Sequence, residues 1–171
     1  QQPLIVTSGV VLTENGKPAF KTDGVDDRLY TASVDCASNF QLALVGATYT
    51  GFGYFTNLAS SNDGVEILNQ TSNYRFSVEG NDDTLSVTNN AQTLSAFSYD
   101  GVNKIYSVDN TENIDLLSTS VSVTAGLEFG QRISTNACEA FYQEFILWNS
   151  STHIANRADI KTNINDFYTI Y

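Results

Sequence analysis

The chain has 171 residues, 19 acidic against 8 basic, for a formal net charge of −11. A surface of that sign repels polyanions, which excludes nucleic acid as a partner, and the length suits one domain that buries roughly two thirds of its unfolded surface. No apolar run nears the roughly 20 residues of a membrane-crossing helix, so no membrane insertion is expected. The chain contains no methionine, so it is expected to be a processed product or a piece of something longer. An aromatic share of 12% with two prolines and abundant Thr, Ser, Val and Tyr favours pleated, half-buried structure over helix. Residues 1–171 are therefore expected to form a single all-β domain.

In chain order, residues 10–13 and 19–22 flank Asn15-Gly16, the strongest two-residue hairpin signal, with Pro18 at the start of the return strand where no ladder donor is lost. Asp23-Gly24-Val25-Asp26-Asp27 follows, a turn carrying three carboxylates. Residues 40–46 alternate Phe40, Leu42 and Leu44 against Gln41, Ala43 and Val45, which predicts a strand buried on both faces. Tyr49, Phe52, Tyr54 and Phe55 are interleaved with Gly51 and Gly53. From there to residue 129, short strand-like runs alternate with polar turns at the even spacing of a sandwich or jelly roll. Asp-Gly-Val recurs at Asp63 and Asp100 with irregular spacing, so it marks separate hairpin turns and no repeat.

The C-terminal stretch organises the rest. Residues 141–148 alternate Phe141, Gln143, Phe145 and Leu147 with Tyr142, Glu144, Ile146 and Trp148, largely apolar on both faces. Such a strand needs cover on both sides, and residues 40–46 are expected beside it. The second cover is expected to be a helix beginning near Ser151, where Ile160, Ile164, Phe167 or Tyr168, and Tyr171 recur at helical spacing after the N-cap candidates Ser150, Ser151 and Thr152.

Candidate chemistry is sparse. Asp23, Asp26 and Asp27 either ligate a calcium ion, which wants six to eight hard oxygens, or accept the backbone N–H groups of their own turn. Tyr49, Phe52 and Tyr54 either stack on the apolar faces of sugar rings or fill the core. A glycosidase needs two facing carboxylates, but Glu112-Asn113-Ile114-Asp115 has unsuitable order and spacing and Glu144 has no acidic partner two or four residues away. The single histidine, His153, reads as a polar loop residue at the helix start. Cys36 and Cys138 are too far apart in sequence for the usual zinc spacings; they either pair or lie buried and inert. The glycosylation patterns at Asn69 and Asn149 are read as chance.

Four segments carry a resemblance to a known family: NGKPAFKTDGVDDRLY, FSYDGVNKIYSVDN, LEFGQR, and FYQEFILWN followed by ANRADIKTNINDFYTIY. In this order they span nearly the whole chain, and they resemble concanavalin A-like, LamG-type jelly-roll domains of bacteriophage virion proteins (tail or fibre) and bacterial surface proteins. The resemblance implies a two-sheet antiparallel jelly-roll sandwich with one C-terminal helix, displayed on a virion or extracellular surface. It implies a non-catalytic, lectin-like module whose partners are glycans or the host cell surface, other virion or surface proteins, and copies of itself. Domains of this type often carry calcium. The competing readings are a purely structural module of a tail, baseplate or capsid fibre, and a glycoside-processing enzyme.

Overall fold

The structure, a computed structural model, describes residues 2–37, 39–49, 52–59, 64–117, 121–131 and 136–171; within these, the side chains of 37, 54 and 59 are outside the description. Two short hairpins come first: β1 (Val6–Thr7) with β2 (Val10–Val11), and β3 (Thr13–Glu14) with β4 (Lys17–Pro18). The second closes on Asn15-Gly16, both residues at positive φ as a tight hairpin requires. The single strand expected over 10–13 is in fact divided, because Ser8-Gly9 makes a further turn at positive φ and draws Val10 and Val11 back onto β1.

The sandwich follows: β5 (Phe20–Asp23), β6 (Leu29–Ala37), β7 (Phe40–Thr48), β8 (Phe52–Ala59), β9 (Gly64–Gln70), β10 (Asn73–Val78), β11 (Asn81–Ser86), β12 (Thr93–Tyr99), β13 (Asn103–Val108), β14 (Thr111–Leu116), β15 (Ser122–Phe129) and β16 (Glu139–Trp148). They form two six-stranded antiparallel sheets, β14-β13-β12-β7-β16-β5 and β11-β10-β9-β8-β15-β6. The chain ends in α1 (Ser151–Ala155) and α2 (Arg157–Tyr168). This is the all-β jelly-roll sandwich with a C-terminal helix, and no described helix is long and apolar enough to cross a membrane.

Strand β7 is buried along its whole length and pairs with β16, as its doubly apolar pattern requires. Phe40, Leu42 and Leu44 enter the core between the sheets with Phe55, Ile67, Phe76, Phe97 and Tyr142, while Ala43 and Val45 face the other way, in a cluster with Leu94 and Ile164. The faces expected for 141–148 need correction. The register of β16 against β7 shifts between Tyr142 and Glu144, and the extra residue of this bulge reverses the alternation. Ala140 and Tyr142 therefore share the core face with Phe145 and Leu147, while Ile146 and Trp148 lie toward the helix.

Ser150 caps α1, its Oγ accepting the Thr152 N–H at 3.3 Å. The helix is in two parts that meet at Asn156. Ile164 is buried under α2, whereas Phe167, expected at the docking face, is 59% exposed and has Lys17 Nζ 3.8 Å above its ring. Ion pairs from Arg157 (2.9 Å) and Lys161 (4.0 Å) to Glu112 tie α2 to the edge strand β14.

Candidate ligand-binding face

The outer faces of the two sheets differ in kind. Behind β7, β12 and β16 the outer face is apolar and packs against Ile160, Ile164 and Tyr168 of α2. On the other sheet, strand register places Asp82, Ser77, Glu66, Asn57, Glu128 and Tyr30 in one transverse row crossing β11, β10, β9, β8, β15 and β6. Asn57, Glu66 and Glu128 are 0%, 2% and 5% exposed, so their charge and polarity need internal partners. Arg75 supplies one side, reaching Asp82 at 3.0 Å and Glu66 at 3.6 Å, and Arg28 the other, 3.5 Å from Glu128. Asn57 Nδ2 donates to Glu128 Oε2 at 3.2 Å, and Asn57 Oδ1 has no hydrogen-bond partner among the described residues. One row further along the face, Arg75 stands opposite Leu68 and Thr84.

At the β6 end of the row, Tyr30 is 57% exposed. Its ring occupies the space that a side chain at 126 would fill: a Cβ added to Gly126 would stand 2.2 Å from the Tyr30 ring. Glycine there, beside the register shift between β15 and β6 that falls between Gly126 and Glu128, lets the ring lie across the neighbouring strand. The Arg28 guanidinium is 5.6 Å from the same ring. Beside them opens a cleft of about 350 Å³ lined by Pro3, Ile5, Phe20, Arg28, Leu29 and Tyr30, among others.

Sequence reasoning missed this row, although a signal was present. Glu66 and Glu128 are each a lone acid between apolar residues of a strand, Val65 and Ile67 in one case and Leu127 and Phe129 in the other, and alternation sends such a residue to the outer face.

The aromatics singled out in the sequence do not converge. Phe52, at the start of β8, is 52% exposed and opposite Gln70 on the row-bearing sheet. Tyr54 stands opposite Leu68 in the register, and its side chain lies outside the described residues. Tyr49 follows β7 in the other sheet, where it packs on Phe141 with ring centroids 5.3 Å apart and donates to Glu14 Oε2 at 3.4 Å. Burial, with Glu14 adding to it, pushes the Tyr49 hydroxyl up to about 12. Phe55 is fully buried core.

The carboxylates of Asp23, Asp26 and Asp27 come within 4.8 Å of one another. Asp23 Oδ1 accepts the N–H groups of Val25 (2.8 Å), Asp26 (3.2 Å) and Asp27 (3.3 Å), and Asp27 Oδ2 accepts that of Asp23 at 3.1 Å. The Val25 bond leads in holding the Asp23 carboxyl below its ordinary value, while burial and the Asp23 charge raise that of Asp27. Asp100 repeats the motif, its Oδ1 accepting from Val102 (2.9 Å) and Asn103 (2.6 Å). Asp63 lies outside the described residues. Among the described residues, Asp23, Asp26 and Asp27 are the group that could hold a cation, but three carboxylates with two oxygens already engaged supply fewer ligands than calcium takes.

The groups weighed for catalysis are held in structural contacts. Glu112 pairs with Arg157, Asp115 accepts the Tyr106 hydroxyl at 2.7 Å, and His153 stacks on Trp148 at 5.3 Å. Glu66 and Glu128, two strands apart on one face, have backbones on the order of 10 Å apart by strand spacing, and each is paired with an arginine. Cys36 and Cys138 are unbonded, both buried, and desolvation pushes each thiol up to about 12.

Two six-stranded antiparallel sheets with a terminal helix behind one of them define the concanavalin A-like jelly-roll class. No protein-family model and no characterised protein matches the chain in sequence. Solved structures share its fold. The mouse laminin α1 chain, domains LG4-5, superposes with a TM-score of 0.61 at 16% identity, over 82% of this chain and 44% of that one. The Trypanosoma rangeli sialidase in complex with sialic acid gives 0.59 at 10%, over 80% and 27%. The botulinum neurotoxin serotype D binding domain gives 0.54 at 10%, over 93% and 50%. The chain spans half or less of the length of each. At these identities the likeness concerns the fold alone, the jelly-roll sandwich that the four sequence segments imply.

Proposed function

We propose that this domain is a non-catalytic, lectin-like binding module that engages glycans through the outer face of the sheet β11-β10-β9-β8-β15-β6, on a phage virion or another extracellular surface. The observation that carries the reading is the contrast between the two outer faces. One is apolar and sealed by α2; the other carries a charged and amide-bearing row that is buried at its centre, with Tyr30 and Phe52 exposed toward the margins of the face. Aromatic rings beside planar polar groups suit sugars, whose rings have apolar faces and hydroxyl edges. Three structures of this fold are a toxin binding domain, laminin LG domains and a sialidase in complex with sialic acid, which supports a ligand-engaging surface by analogy of fold. A single shallow face binds weakly, since each hydrogen bond exchanged with water yields about 0.5 to 1.5 kcal/mol, so useful adhesion comes from many linked copies.

The test is a glycan array together with adsorption to candidate host cells, using monomeric and artificially multimerised protein. Multivalent binding to defined glycans without release of reducing sugar is the expected result. A chain that ignores every glycan, yet associates with itself or with virion proteins, would establish the second reading, a structural interaction module. The exposed Ile5, Val10 and Val11 of the N-terminal hairpin favour that alternative.

A further inference from the structure

We infer that the cleft between the N-terminal segment and β6 is a subsite for one neutral pyranose, stacked on Tyr30 and hydrogen-bonded by Arg28, whose guanidinium the buried Glu128 orients. The inference rests on the glycan-binding reading above and adds a place and a sugar class to it.

Three features converge on the cleft. The first is the aromatic platform. Tyr30 is more than half exposed, yet its ring has a fixed seat, because Gly126 leaves the space beneath it empty of any side chain. An aromatic kept at the surface in a defined orientation is pre-organised for stacking and loses little freedom on binding. The second is size and lining. At about 350 Å³ the cleft is at the small end of ligand sites, and Ile5, Leu29 and Phe20 give it apolar walls. The third is polar chemistry. The Arg28 guanidinium is 39% exposed and meets Glu128 at 3.5 Å through one nitrogen, while its planar fork carries five donors. The buried Glu128 holds the guanidinium from one side, leaving its other N–H groups to donate to the oxygens of a sugar in the cleft.

Charge selects among sugars. Arg28 is already matched by Glu128, and Asp23, Asp26 and Asp27 occupy the turn just before it on a chain of net charge −11. A uronate, sialate or sulfated ring would add negative charge where the carboxylates exceed the single guanidinium. A neutral hexose carries no such penalty.

The experiment compares the intact chain with Tyr30→Ala, Tyr30→Phe, Arg28→Lys, Gly126→Ala and Phe52→Ala, each with its melting temperature recorded. The probes are immobilised oligosaccharides ending in glucose, galactose, mannose or N-acetylglucosamine, and matched sets ending in glucuronate or sialate. Expected is a preference for neutral termini, a loss of about tenfold or more for Tyr30→Ala with little change for Tyr30→Phe, and weaker binding for Arg28→Lys, which lacks the planar fork. Gly126→Ala should weaken binding as well, by driving the Tyr30 ring from its seat. If glycans bind but Tyr30→Ala matches the unmodified chain while Phe52→Ala abolishes binding, the subsite is wrong and the glycan reading survives. Preference for acidic termini overturns the neutral-sugar assignment. Binding to none of the probes overturns both.

Discussion

The hydroxyl of Tyr142 on β16 donates to the backbone carbonyl of Phe55 on β8 at 2.8 Å, across the interior of the sandwich. Both residues sit at bulges, where β16 shifts against β7 and β8 shifts against β9. A bulge leaves a backbone group outside the ladder, and a carbonyl buried there needs a donor. Tyr142→Phe keeps the ring packing against Phe20, Phe55 and Phe129 but orphans that carbonyl. The expected cost is about 1 to 3 kcal/mol, read from the urea midpoint at unchanged slope.

Two neighbouring residues of α2 should behave oppositely. Ile164 is 6% exposed and Phe167 59%, so Ile164→Ala should cost roughly 2 to 5 kcal/mol and Phe167→Ala little beyond its contact with Lys17. Removing everything after Asn149 should destabilise the domain more than either change, since it uncovers Ala43, Val45 and Leu94. Equal melting temperatures for the two alanine variants would contradict the observed docking face.

Asp109 tests the electrostatics. Burial raises its carboxyl above the ordinary 3.8, against smaller opposing effects of the Leu94 N–H and Lys161. A carboxyl raised in the folded state contributes stability that is present below its unfolded value and is lost as pH rises through its folded value. Asp109→Asn keeps an acceptor for Leu94 N–H and tolerates the positive φ of 51°. Relative to the parent, the variant should therefore gain stability as pH rises above the ordinary 3.8 and the parent's carboxyl ionises. A parent advantage that grows with pH would assign the larger role to Lys161.

The aspartate turn predicts indifference to calcium. With Asp23 Oδ1 engaged by three backbone N–H groups, millimolar calcium or a chelator should leave the melting temperature unchanged. A filled site at a hundred times its dissociation constant would add about 2.7 kcal/mol, which calorimetry resolves easily.

Both cysteines should resist thiol reagents in the native state. Cys36 and Cys138 are 0% and 1% exposed, and thiols pushed up to about 12 carry almost no thiolate at neutral pH. Labelling should appear only on unfolding; rapid modification of the native protein would contradict the burial.

Features set by neighbours in the chain were open to reading from sequence. The doubly apolar pattern of β7 and β16, the Asn15-Gly16 hairpin and the Ser150 cap each depend on local periodicity or turn chemistry, and the structure carries all three. The acid at Glu66 or Glu128 within an apolar strand was equally visible. What the sequence could not supply was partnership. The bulges in β8 and β16 have no local signature, because an extra residue exists only relative to the strand opposite, and one such residue turned Tyr142 into the core. The row from Asp82 to Tyr30 is assembled from six strands whose order departs from chain order, so its members became neighbours only through register. The Tyr30 ring found its place because Gly126 on another strand has no side chain. Periodicity and turn chemistry act within a few residues of the chain, whereas register, bulges and the seat of a side chain are settled by long-range pairing and close packing, and these placed the candidate site.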